Sequence, residues 1–155
     1  MRKLIVAAGF ICVLISLLFY SDSKNKVAII KTPIHSDCSL EKIPCEISLP
    51  NGLALLFNLE PKGLPVMDPL VLTINGLEFI EEPLKVWFEG KSMNMGIHYM
   101  LPSPISSRVP GEYIFNGMIP VCSIDKNMVW LLNVDVPIKS QVFNIQFQLK
   151  SILGD

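Results

Sequence analysis

A ten-residue stretch, KSMNMGIHYM, combines three methionines with one of the two histidines of the chain. Thioether sulfur is a soft, neutral donor that stays usable where thiolates are oxidised, and together with an imidazole nitrogen it suits Cu(I). Zinc prefers thiolate, imidazole and carboxylate ligands. The sequence therefore predicts Cu(I) as a cofactor, with the candidate metal ligands Met93, Met95, His98, Met100 and Cys122.

The geometry of a β-strand decides whether these side chains can meet. In one unbroken strand, Met93 and Met95 share one face, because side chains alternate. His98 and Met100 then share the other face. A bulge at Gly96 would add one residue and bring all four to a common side. The competing interpretation is that the methionines fill irregular space in the core, a frequent use of this flexible side chain.

The N-terminus indicates the compartment. Arg2 and Lys3 precede an uncharged apolar run over residues 4–20. This run has the length of a short membrane-spanning helix, and no Ala-x-Ala cleavage site follows it. Residues 1–23 are therefore predicted to be a membrane anchor, with a cleaved signal segment as the alternative. The basic tip predicts a single pass through the inner membrane, with the C-terminal domain in the periplasm.

An oxidising compartment favours disulfide formation among the three cysteines beyond the apolar run. Cys38 and Cys45 close a short loop and are the preferred disulfide pair. Cys122 is then left as a buried thiol or a metal ligand. Pairing of Cys122 with either of the other two remains open, because connectivity cannot be deduced from sequence alone.

From residue 24 onward, short extended runs separated by proline and glycine predict an all-β domain. Residues 24–40 are expected to form a tether that can add an edge strand through VAIIK, and residues 41–155 the domain itself. The clearest strand is FNIQFQLK, where apolar and polar residues alternate and predict one buried and one wet face. The other seven runs are CEISLP, LALLFNLE, LVLTINGL, LKVWFEG, GIHYML, EYIFNGMIPVC and VWLLNVDVPI. Eight runs at this spacing are typical of a β-sandwich.

Composition and motifs exclude several classes of function. The net charge is −1 and the basic residues are scattered, so no nucleic-acid partner is expected. Neither a phosphate-binding glycine loop nor a serine nucleophile motif is present. The chain is therefore predicted not to be an enzyme.

Three features between residues 86 and 134 define a resemblance. They are the Met-Asn-Met-Gly element that begins at Met93, the Pro-Gly-Glu-Tyr element that begins at Pro110, and Trp130 in a later strand. In these features the chain resembles the YtkA-like and FixH-like periplasmic domains, although Cys122 is not expected in every such domain. The resemblance implies an immunoglobulin-like β-sandwich outside the cytoplasmic membrane. It also implies, through the FixH branch, a link with the assembly of copper-containing respiratory oxidases.

Together these observations predict an immunoglobulin-like β-sandwich preceded by one N-terminal membrane helix. The expected function is that of an accessory protein in copper handling or in the assembly of a respiratory membrane complex. The expected partners are the inner membrane and a membrane protein complex. The alternative is a structural or protein-binding envelope domain that holds no metal and whose methionines belong to the core.

Overall fold

Alternating apolar residues form the strands of this domain. A computed structural model describes residues 28–77, 80, 82–104, 109–121 and 128–150. The strands are β1 (Ala28–Lys31), β2 (Cys45–Ser48), β3 (Ala54–Glu60), β4 (Leu70–Asn75), β5 (Lys85–Gly90), β6 (Ile97–Pro102), β7 (Glu112–Gly117), β8 (Val129–Ile138) and β9 (Gln141–Lys150). The all-β class is confirmed, and each of the eight predicted runs overlaps one of the strands β2 to β9.

The nine strands form one continuous mixed sheet in the order β1-β9-β8-β5-β6-β7-β4-β3-β2. Strand β1 pairs with β9 in parallel, and every other neighbouring pair is antiparallel. Strand β1 lies within residues 24–40, the segment predicted to be a tether. The long-range pairing of β1 with β9 therefore attaches the beginning of the described chain to its end.

The sheet curls, so that strands far apart in its order meet through their apolar faces. Phe57 of β3 and Phe147 of β9 contact edge to face, with ring centroids 4.9 Å apart, although five strands separate β3 from β9 in the sheet. Edge-to-face packing is a favourable arrangement of aromatic rings. The core within the curl includes the fully buried Leu55, Leu59, Leu72, Phe88, Trp130, Leu132 and Ile145. The two-layer immunoglobulin-like sandwich remains a prediction.

Two asparagines of β8 and β9 depart from simple alternation. Asn144 was expected on the wet face of its strand, but it is buried, as is Asn133. The Asn144 side-chain amide donates to the Asp135 carboxylate at 2.7 Å, and the Gln146 amide donates to Asn133 Oδ1 at 2.6 Å. These bonds satisfy polar groups that burial alone would penalise. The outer face of this part of the sheet is therefore covered by hydrogen-bonded side chains.

A disulfide ties the segment after β1 to strand β2. Cys38 and Cys45 are within bonding distance, with their Cα atoms 6.0 Å apart, as the sequence predicted. Within the loop that they close, Leu40 is fully buried and Glu41 is nearly so. His35, just before the loop, forms a parallel bridge with Phe147 of β9. The disulfide segment therefore lies between β1 and β2, the strands at the two ends of the sheet.

The expected membrane segment, residues 1–23, lies outside the described residues. Within the part of the chain that the structure does describe, no helix is long and apolar enough to cross a membrane. The anchor and its orientation remain predictions.

Replacing both bonded cysteines, Cys38→Ala with Cys45→Ala, is expected to lower the free energy of unfolding by about 2 to 3 kcal/mol, because the unfolded chain gains freedom when the loop is opened. Urea unfolding of the full-length chain, followed by tryptophan fluorescence, measures the change. Reduction of the parent chain should lower its midpoint similarly, whereas Ser48→Ala, at an exposed position of β2, should not. Equal midpoints for the parent and the double variant would contradict this role of the disulfide.

Candidate functional site

The loop between β5 and β6 carries the first candidate ligands, and it is tied to the start of β8. The Lys91 N–H donates to the Val129 carbonyl at 2.8 Å. In return, the Val129 N–H donates to Ser92 Oγ at 3.3 Å. These two bonds hold the first residues of the loop against the neighbouring strand. The start of the loop, just before Met93, is therefore held by a neighbouring strand.

Two glycines give the loop its shape. A Cβ at Gly90 would collide with the carbonyl oxygen of Met93 and the terminal methyl group of Met128, so the loop folds back closely over this residue. Gly96 has φ of 77°, in the left-handed region that glycine adopts without steric cost. Its N–H donates to Asn94 Oδ1 at 3.0 Å. The chain thus breaks at Gly96, as the sequence suggested, but by a turn that precedes β6 and not by a bulge inside a strand.

His98 is oriented by the loop. Its Nε2 atom lies 2.8 Å from the carbonyl oxygen of Met95. A carbonyl only accepts hydrogen bonds, so Nε2 carries the proton, and in the neutral ring Nδ1 holds the lone pair. The ring also meets Trp130 edge on, with centroids 6.0 Å apart. The hydrogen bond to Met95 and the ring contact with Trp130 together fix the ring plane of His98, which is half-buried.

The predicted methionine ligands fall into two environments. Met93 and Met95 are half-buried and pack against the edge of the core. Met100 is 3% exposed and belongs to the core itself. Its side chain lies against Gly117 of β7, where an added Cβ would come within 2.6 Å of Met100 Cγ. The structure therefore brings Met95 and His98 together through a hydrogen bond, while Met100 fills the space beside β7.

Two residues outside the loop, Cys122 and Met128, also carry sulfur. Cys122, predicted as a further ligand, lies outside the described residues. Met128 was not singled out from the sequence, because it reads as the apolar start of a strand. Its methyl group nevertheless lies beside Gly90, at the base of the loop. Only the folded position of Gly90 reveals that proximity.

Conventional metal clusters are not part of the described structure. Among the described residues, no group of three or more histidine, cysteine, aspartate or glutamate side chains could hold a metal ion. The loop offers a different donor, the thioether sulfur of methionine. We compared the chain with models of protein families, with curated proteins and with solved structures, and none of the three comparisons gave a match. The site is therefore interpreted from its own geometry.

We expect Gly117→Ala to lower the free energy of unfolding by about 1 to 3 kcal/mol, because the new methyl group overpacks the site against Met100. The same substitution should cost much less in a Met100→Ala background, where the space is free. A double-mutant cycle measured by urea unfolding gives the coupling between the two positions. An equal cost of Gly117→Ala in both backgrounds would show that Met100 does not fill this space.

Proposed function

We propose that this chain is a membrane-anchored, extracytoplasmic β-domain that binds Cu(I) and acts as an accessory protein in copper handling or in the assembly of a respiratory membrane complex. The observation that carries the proposal is the hydrogen bond from His98 Nε2 to the Met95 carbonyl. It sets the histidine ring beside the Met-Asn-Met-Gly loop, and it supports Nδ1 as the ring nitrogen that we propose binds the metal.

The donors match the chemistry of Cu(I). Metal-binding histidines usually donate their second ring N–H to a carboxylate or a backbone carbonyl, which fixes the ring and raises its basicity. His98 has such a partner in the loop that also carries the two thioethers. We assign His98 Nδ1 and the sulfur atoms of Met93 and Met95 as ligands, with Cys122 as a further donor. Met100 is left out of this set because its burial gives it a packing role.

The proposed compartment draws on the cysteines and the N-terminus. Disulfides persist in the periplasm and are rare in the cytosol. The Cys38–Cys45 pair therefore supports an extracytoplasmic domain. The apolar run over residues 4–20, behind two basic residues, supports a single-pass anchor in the inner membrane.

The proposed fold is an immunoglobulin-like sandwich. The contact between Phe57 and Phe147 supports this finer description, because it joins the two halves of the curled sheet through their inner faces. The resemblance to YtkA-like and FixH-like domains supports a role beside a copper-containing oxidase. No acidic, basic or nucleophilic constellation in the sequence suggests catalysis, so the proposed role is binding.

A Cu(I) titration of the full-length chain in neutral detergent, against a chromogenic competing chelator, tests the proposal. The parent chain should withdraw Cu(I) from the chelator. Changing Met93→Leu with Met95→Leu keeps volume and hydrophobicity but removes both sulfur atoms, and should weaken binding by more than about tenfold. The matched control is Met100→Leu, which removes the sulfur atom of a methionine buried in the core and should bind like the parent.

Two results would reject the copper proposal. One is a parent chain that does not compete for Cu(I), and the other is unchanged affinity after the Met93 and Met95 substitutions. Either result would favour the alternative, a structural or protein-binding domain in which these methionines have only a packing role. His98→Phe, which keeps an aromatic ring against Trp130, separates the contribution of Nδ1 from that of packing.

A further inference from the structure

A groove of about 610 Å³ opens where β6 and β7 part. Strand β6 pairs with β7 only at Leu101 and Pro102, while its first four residues pair with β5. The walls of the groove are formed by one end of β6, by the end of β7 and by the loop before β4. Its apolar side chains include Met67, Ile97, Tyr99, Leu101 and Met118, and His98 also lines it.

The backbone of β6 presents an open edge to this groove. The Ser103 N–H donates to the Ile114 carbonyl of the β7 segment at 2.7 Å, which fixes the hydrogen-bonding direction at Ser103. Alternate residues of an extended strand direct their N–H and C=O groups to the same side, so Tyr99 and Ile97 also point this way. Within β6 itself, only Leu101 and Pro102 pair with β7 among the described residues.

The side chains around this edge are apolar and exposed. Ile97, Tyr99 and Leu101 are 55%, 62% and 68% exposed, an unusual run for three alternate positions of one strand. Soluble proteins commonly protect an open edge with lysine, proline or an inward charge. Among the described residues that line the groove, none is aspartate, glutamate, lysine or arginine. The lining therefore favours an uncharged occupant with apolar side chains.

The opposite wall is held in a conformation that is unusual for its residue type. Met67 has φ of 65°, in the left-handed region that non-glycine residues rarely adopt. Its N–H donates to the Ile119 carbonyl at 3.1 Å, which joins the loop before β4 to the segment after β7. Unfavourable backbone conformations of this kind cluster at ligand-binding sites. Here the conformation places an exposed methionine on the wall that faces β6.

We infer that the groove binds an extended, uncharged apolar segment of a partner polypeptide, which adds as a strand to the open edge of β6. A peptide backbone supplies donors and acceptors at the spacing of Ile97 and Tyr99, and its alternate side chains reach the apolar lining. A lipid chain would cover the lining but leave these polar groups without partners. The inference goes beyond the Cu(I) proposal. It uses neither the sulfur atoms of Met93 and Met95 nor His98 Nδ1, although His98 is also one of the residues that line the groove.

A capped peptide of alternating threonine and valine, about seven residues long, is the probe. Binding to the full-length chain in lipid nanodiscs is measured by calorimetry, with empty nanodiscs as the blank. Hydrogen exchange of the Ile97 and Tyr99 amides is measured in parallel. The expected result is saturable binding that slows exchange at both amides. The same peptide with its central amides N-methylated keeps its side chains but loses donors, and should bind at least about tenfold more weakly.

Two charge variants test the location. Leu101→Arg places a charge in the groove and should weaken peptide binding by at least about tenfold. Leu56→Arg changes another exposed leucine, on β3 in the other half of the sheet, and should bind like the parent. Unchanged binding by Leu101→Arg would overturn the assignment of the site.

Three other outcomes would also overturn the inference. The first is an absence of saturable peptide binding. The second is equal affinity for the N-methylated peptide, which would indicate a site for apolar ligands without strand pairing. The third is a concentration-dependent dimer of the parent chain, by mass measurement in detergent, that Leu101→Arg dissociates. That result would assign the groove to a second copy of this chain.

Discussion

Strand β6 provides the hydrogen-bonded connection between the two halves of the described sheet. Its residues 97–100 pair with β5, and Leu101 and Pro102 pair with β7. Because one strand divides its partners in this way, the sheet opens at the division. Met100 fills the inner side of the joint against Gly117, and an apolar groove opens beside it. The candidate metal loop, which leads into β6, and the proposed peptide site, along its edge, both depend on the placement of this strand.

Local sequence patterns were sufficient to find the strands but not their arrangement. Short extended runs between prolines and glycines located β2 to β9, and alternation of apolar and polar residues identified the clearest of them. Alternation also assigned Asn144 to the solvent, although it is buried. Its amide donates a hydrogen bond to Asp135 across the β8–β9 pair, and a local pattern does not reveal that partner. The parallel contact of β1 with β9 is likewise invisible to a local pattern, since the two strands lie at opposite ends of the described chain.

The candidate site was predictable in its residue types and in its break at Gly96, because glycine tolerates the left-handed backbone found there. The burial of Met100, in contrast to the half-buried Met93 and Met95, was not predictable. Met100 is buried because β7 offers a glycine opposite it, and that pairing joins positions distant in sequence. The edge of β6 that lacks a strand partner among the described residues could not have been foreseen either, because strand pairing is a property of the assembled sheet. Sequence therefore indicated which residues could act chemically, while the sheet order determined which of them are available.

The pairing of β1 with β9 also makes the fold dependent on the completeness of the chain. During synthesis the N-terminal part of the chain is made first, so β1 has no partner until residues 141–150 have been made. The same last strand supplies the long antiparallel partner of β8, so a chain interrupted before it leaves β1 without a partner and one edge of β8 open. Pairings between distant segments also form slowly, because the loop entropy must be overcome first. Premature termination or C-terminal cleavage would thus leave a product with open strand edges. Such a product is more prone to proteolysis and aggregation than the complete domain.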